Sequence, residues 1–194
     1  MIKVIFLDID GVMNSELFYR ARQKKRWLKP RTYYWWILPK IKYIFNGFKY
    51  KYVSLANYKT PESHKKFKYL FKRLKEETDP LQWRWLSELC NENDYKICIS
   101  SIWKKHFYDI NDWDKSLTKL GFKEGTFVGI TGRRRTERGT EIQEWIDKIG
   151  TVEKYAIIDD DSDMLESQLK SFFHTDPYCG LSPSICYQVK RHLK

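Results

Sequence analysis

Residues 1–15 read MIKVIFLDIDGVMNS. Five of the six residues from Ile2 to Leu7 are apolar; Asp8 and Asp10 follow, with one isoleucine between them and Gly11 behind. A short apolar run closed by a turn signal reads as a buried strand. In open parallel α/β sheets the ligand site lies beyond the carboxyl ends of the strands. Two acids at such an end are therefore candidates for chemistry, and the residues after each later apolar run become the next question.

Four further runs have the same form. YKICIS (95–100) ends in Ser100 and is followed by Ser101, TFVGI covers 126–130, KYAIIDDD (154–161) runs into Asp159, Asp160 and Asp161 with Asp163 close behind, and KSFFHT covers 170–175. Helical signals alternate with them. Residues 79–93 carry Asp79 as an N-cap and Pro80 at the first position, and residues 136–150 end at Gly150, the usual C-terminal stop. The alternation predicts an α/β fold with a mainly parallel sheet. Arg138 opens the second helix, where a cation is unfavourable to the helix dipole, which favours a functional reason for it.

Several carboxylates, serine hydroxyls and one guanidinium would thus meet at one sheet edge. Carboxylates held together repel and need a cation. A hard divalent ion with oxygen ligands supplies it, and Mg²⁺ commonly uses one or two carboxylates plus waters and phosphate oxygens. An Asp can attack phosphorus to give an aspartyl-phosphate, an Asp two residues on can move the proton, and a Ser hydroxyl with an Arg or Lys can hold phosphate oxygens.

Charge is unevenly spread. Residues 16–75 hold 18 Lys or Arg against Glu16 and Glu62, a charge of +16, so the remainder of a chain of net +11 carries −5. The same 60 residues hold 16 of the 32 aromatics. This basic, aromatic insert interrupts the α/β pattern after the first strand. Basic side chains interleaved with aromatics suit a surface that tracks a phosphate backbone and stacks bases; the same aromatics, Trp35, Trp36, Phe67 and Phe71 among them, also suit the insert's own core. The stretch YYWWILPKIKYIF suits a membrane surface by composition, but no run approaches the roughly 20 apolar residues of a bilayer span, so no stable membrane insertion is expected. Cys90, Cys98, Cys179 and Cys186 form no CxxC pair and predict reduced thiols and a cytoplasmic location.

These motifs together resemble the haloacid dehalogenase (HAD) superfamily of phosphohydrolases. FLDIDGVMNS resembles its first motif, ICISSIWKK its second, Arg138 in RGTEIQEWI its third, and YAIIDDDSD its acidic fourth. A closer resemblance is to the HAD domain of Swiss-army-knife RNA repair proteins, through Asp8–Asn14, Ile97–Trp103, Arg138–Trp145, Ile157–Asp163 and His174–Leu181. The chain is also similar to the phosphatase half of phage polynucleotide kinase-phosphatase, without a Walker A pattern for a kinase half. The resemblance implies a Rossmann-like core formed by 1–14 and 76–194, with a cap inserted at 15–75. It implies Asp8 as nucleophile and metal ligand, and Asp10 as general acid/base with its backbone carbonyl on the metal. Ser100 would bind the transferring phosphoryl group, and Arg138 would neutralise phosphorylated Asp8. Asp160 would be the direct ligand of Mg²⁺, supported by Asp159 or Asp163. Ser101, Lys104 and the Arg133, Arg134, Arg135 cluster are candidate substrate contacts, and His174 and Asp176 are given no chemistry.

The function expected is a Mg²⁺-dependent phosphomonoesterase acting at nucleic-acid ends, a polynucleotide 3′-phosphatase of nucleic-acid repair. A nucleotidase or other small-molecule phosphatase with a nucleotide phosphate substrate, and a non-catalytic nucleic-acid-binding module on the same frame, are the alternatives.

Overall fold

A computed structural model describes residues 1–27, 63–132 and 137–194. Five strands form one all-parallel sheet: β1 (Ile2–Leu7), β2 (Lys96–Ile99), β3 (Phe127–Ile130), β4 (Val152–Asp159) and β5 (Phe172–His174), in the order β3-β2-β1-β4-β5. The helices are α1 (Glu16–Trp27), α2 (Ser63–Glu77), α3 (Pro80–Asn93), α4 (Ile110–Lys119), α5 (Arg138–Ile149) and α6 (Pro183–Leu193), with short 3-10 turns at Ile102–Lys105 and Glu166–Ser171.

The strands read as unbroken apolar runs because helices cover both sheet faces. Side chains alternate across a strand, and β1 divides accordingly. Ile5 and Leu7 join Ile97, Ile99 and Ile158 in the larger core, with residues of α2, α3, α4 and α6. Val4 and Phe6 face the other way, toward Cys98, Ile157, and Ile142 and Trp145 of α5. Phe6 meets Trp145 edge to face, with ring centroids 5.4 Å apart and planes at 86°. Leu70 and Leu74 place α2, the segment that leads out of the basic insert, within the larger core.

The helix ends follow local rules. Asp79 caps α3 by accepting from the Leu81 N–H, and Pro80 stands at its first turn. Ser182 caps α6 by accepting from Ile185 N–H, again with Pro183 at the first position. Gly150 ends α5 at φ 64°, a left-handed conformation that glycine adopts without penalty.

The strand register positions the site. Leu7 pairs with Ile99 on one side and Ile158 on the other. The next residues, Asp8, Ser100 and Asp159, therefore stand level at the carboxyl edge, on strands about 4.8 Å apart. The ladder runs one bond further into the site, with Ser100 N–H donating to the Leu7 carbonyl at 2.9 Å and Asp8 N–H to Ile158 at 3.0 Å. After β3 the chain returns to pair β4 with the other side of β1, so the strand order reverses at β1 and β4. That switch point is the crevice where such sheets bind ligands.

Candidate active site

Asp8 is 3% exposed and Asp159 fully buried. Arg138 lies between them: its Nη1 donates to Asp8 Oδ1 at 2.7 Å and to the Ser100 carbonyl at 2.7 Å, and stands 3.1 Å from Asp159 Oδ2. The dipole penalty at the start of α5 is answered by Asp163, whose carboxylate accepts from Arg138 N–H at 3.0 Å while its carbonyl accepts from Gly139 N–H at 3.1 Å. Asp163 thus serves as a cap for α5. Asp161 is exposed, and its N–H donates to Asp159 Oδ1 at 3.0 Å.

Asp8, Asp159 and Asp160 bring one carboxylate oxygen each to within 4.8 Å of one another. Asp160 reaches this position across Gly11, where φ is +69° and an added Cβ would run into the Asp160 carboxylate. The His174 ring bonds the Asp160 carbonyl at 2.8 Å and holds the acidic loop from the β5 side. Asp159 Oδ2 is buried with no hydrogen-bond partner among the described residues, and its distance from Arg138 reflects charge proximity without hydrogen-bond alignment. Burial raises the pKa of all three carboxyls above the ordinary value; repulsion adds to this, and Arg138 opposes it. Asp159 is pushed up to about 8 by burial and then by Asp8. Three carboxyls in this state, one with an oxygen that has no hydrogen-bond partner among the described residues, have the charge, spacing and chemistry to hold a metal ion.

The second strand supplies hydroxyls. Ser100 and Ser101 are both buried. The Ser101 hydroxyl favours the charged form of the Asp8 carboxyl and opposes the effect of its burial, whereas Ser100 Oγ is buried without a partner among the described residues. An unsatisfied buried hydroxyl at a sheet edge fits an anionic ligand that accepts from it. Lys104 makes its bonds to residues outside this cluster. It is 3% exposed, donates to Thr131 Oγ1 at 2.7 Å and pairs with Glu141 of α5. Its burial lowers its pKa, and Glu141 counters that shift. Arg133, Arg134 and Arg135 lie outside the described residues, as do Trp35, Trp36 and the YYWWILPKIKYIF stretch. Phe67 and Phe71 stack at 6.2 Å, with the Lys119 ammonium of α4 5.6 and 5.5 Å from their centroids.

Two residues given no role from sequence stand in the site. Trp103 Nε1 lies 3.1 Å from both Asp10 oxygens, and Asn14 Nδ2 donates to Asp10 Oδ1 at 2.6 Å. Their signal in the sequence is only their place in the stretches Asp8–Asn14 and Ile97–Trp103 that carry the family resemblance. The last such stretch is explained by packing: Leu181 N–H donates to the Val12 carbonyl at 2.8 Å, and Gly180, at φ +69°, closes against that same carbonyl and Gln82. The tail thereby braces the loop that carries Asp10.

An all-parallel sheet with its acids at the switch point and a helix-opening arginine between them is the arrangement of a HAD-type α/β core. The family model described as the HAD domain in Swiss Army Knife RNA repair proteins matches residues 4–184, and the chain belongs to that family. No curated protein and no solved structure matches it. Among the described residues no helix is long and apolar enough to cross a membrane.

Proposed function

We propose that this protein is a Mg²⁺-dependent phosphatase that removes phosphate from nucleic-acid ends, most directly a 3′-phosphate, by way of an aspartyl-phosphate on Asp8. The observation that carries this is the convergence of Asp8, Asp159 and Asp160 around one edge with Arg138 on Asp8. The residues fit the ion: Asp8, Asp160 and Asp159 would hold Mg²⁺ by carboxylate oxygens, with the Asp10 carbonyl as a further ligand. When bound, the ion offsets the negative charge that gathers as phosphate meets carboxylate.

The chain's own groups account for the rest. An Asp8 oxygen attacks phosphorus, and the bond from phosphorus to the leaving oxygen breaks as Asp10 gives that oxygen a proton. Arg138 and the Ser100 hydroxyl hold the non-transferred phosphate oxygens. Water then adds to phosphorus, its proton passes to Asp10, and the bond from phosphorus to Asp8 breaks, releasing phosphate and restoring both acids. Ser101 keeps Asp8 aimed, and Lys104 acts through its pairing with Glu141, which ties the turn after β2 to α5. Residues 15–75 act as the cap that selects substrate, with the Arg133–Arg135 cluster as a second phosphate contact.

The polynucleotide preference is supported by the +16 charge and 16 aromatics of residues 16–75 and by the RNA repair context of the family. Steady-state turnover of 3′-phosphorylated oligonucleotides and of 3′-mononucleotides, each with the other as competitor, tests it. Oligonucleotides should turn over with the higher kcat/KM and compete effectively. Faster mononucleotide turnover without competition by oligonucleotides would replace this reading with a nucleotidase.

A further inference from the structure

Asp10 is not among the three carboxylates that cluster, and it is held by N–H donors. Trp103 Nε1 bridges both of its oxygens at 3.1 Å, and Asn14 Nδ2 reaches Oδ1 at 2.6 Å. Each donor is itself fixed. Asn14 Oδ1 accepts from Gly11 N–H at 2.8 Å, and its amide also bonds the Tyr19 hydroxyl at 3.2 Å. The Trp103 indole lies under the Arg73 guanidinium at 4.3 Å, and Arg73 is pinned to Glu77 by bonds of 2.9 and 2.5 Å. Tyr19 belongs to α1, which leads into the basic insert, and Arg73 to α2, which leads out of it.

We propose that Trp103 and Asn14 are positioning residues for Asp10, braced from the two stems of the insert by Arg73 and Tyr19. Two donors on one carboxyl fix both its distance and its plane, which a single bond leaves free to rotate. Proton transfer needs that control, since acid and leaving oxygen must meet within hydrogen-bond reach. Because the braces come from the insert's stems, substrate held by the insert and the acid that acts on it share one scaffold. The catalytic consequence rests on the phosphatase reading, but the contact itself does not.

Trp103→Phe separates the roles, because the ring that carries Arg73 remains and only the N–H is lost. Its readout is single-turnover release of two leaving groups: an alkyl alcohol, which departs with a proton, and p-nitrophenolate, which departs without one. Release of the alcohol should fall roughly tenfold or more, part of the 10²–10⁴ contributed by a general acid, while nitrophenolate release changes by no more than about twofold. Asn14→Ala should act in the same direction. An equal fall for both leaving groups, or no fall for either, overturns the proposal. The second readout needs no turnover. Among the eight tryptophan indole N–H resonances, the one lost in Trp103→Phe should move toward the ordinary indole position in Asp10→Ala, which removes both acceptor oxygens. If it stays in place, Trp103 does not hold Asp10. If the wild type releases neither leaving group, the phosphatase reading fails, and the indole resonance decides the contact alone.

Discussion

At the scale of single residues, the site is a problem of buried negative charge. Asp8 and Asp159 share one guanidinium, and Asp159 keeps an oxygen without a hydrogen-bond partner among the described residues. In the metal-free protein the folded state therefore holds a proton on Asp159 up to about pH 8, while the unfolded chain releases it near the ordinary value of 3.8. Between those values the folded state binds more protons than the unfolded one, so this contribution to stability is present at low pH and is lost as pH rises. The melting temperature of metal-free protein should decline across that window, and Mg²⁺ should restore more of it at the upper end, where the ligands are already deprotonated. Calorimetry with and without Mg²⁺ checks this; a Mg²⁺ gain that shrinks with rising pH would contradict it. Sequence made Asp8, Asp10, Arg138, Asp159 and Asp160 visible because each follows a strand or opens a helix. It could not separate Asp163 from the other acids, because a capping carboxylate and a ligand carboxylate look alike until the start of α5 is placed beside them. Nor could it show that Lys104 pairs with Glu141, a contact between positions 37 residues apart.

At the scale of elements, that ion pair joins the turn after β2 to α5, the two segments that carry Ser101 and Arg138. Lys104→Met alone leaves Glu141 buried and unpaired, which should cost about 3–5 kcal/mol, whereas Lys104→Met with Glu141→Leu should recover most of it. Denaturant unfolding of the two variants measures this; equal losses would mean that the pair adds specific binding energy beyond mutual neutralisation. The five strands were legible as apolar runs ended by polar residues, and α3 and α5 through their caps. Missing were α1, α4 and α6. Ser182 and Pro183 repeat the cap pattern of Asp79 and Pro80, and Asp109 caps α4 by accepting from Asn111 N–H. Helices α4 and α6 are short, at 10 and 11 residues, so their patterns run for only about three turns; tertiary burial of Trp113, Leu117, Val189 and Leu193 fixes them as helices.

At the scale of the whole molecule, two materials share one chain: a core of net −5 and a basic, aromatic stretch of +16. Six of the core's 23 acids, Asp8, Asp10, Asp159, Asp160, Asp161 and Asp163, gather at one edge, and the insert's stems meet that edge beside Asp10. If residues 15–75 grip a phosphate backbone, oligonucleotide affinity should fall linearly on a log–log plot with salt, by about 0.7 per phosphate neutralised on a single strand. Fluorescence anisotropy across a salt series measures the slope, and a flat response would remove the backbone-tracking role. The central claim is tested most directly by phosphate release from a 3′-phosphorylated oligonucleotide with Mg²⁺, run in parallel on the wild type and Asp8→Asn, with binding of the same oligonucleotide measured for both. The account predicts release by the wild type, none by Asp8→Asn, and similar binding by each. Equal release by the two proteins, or none by the wild type, would contradict it.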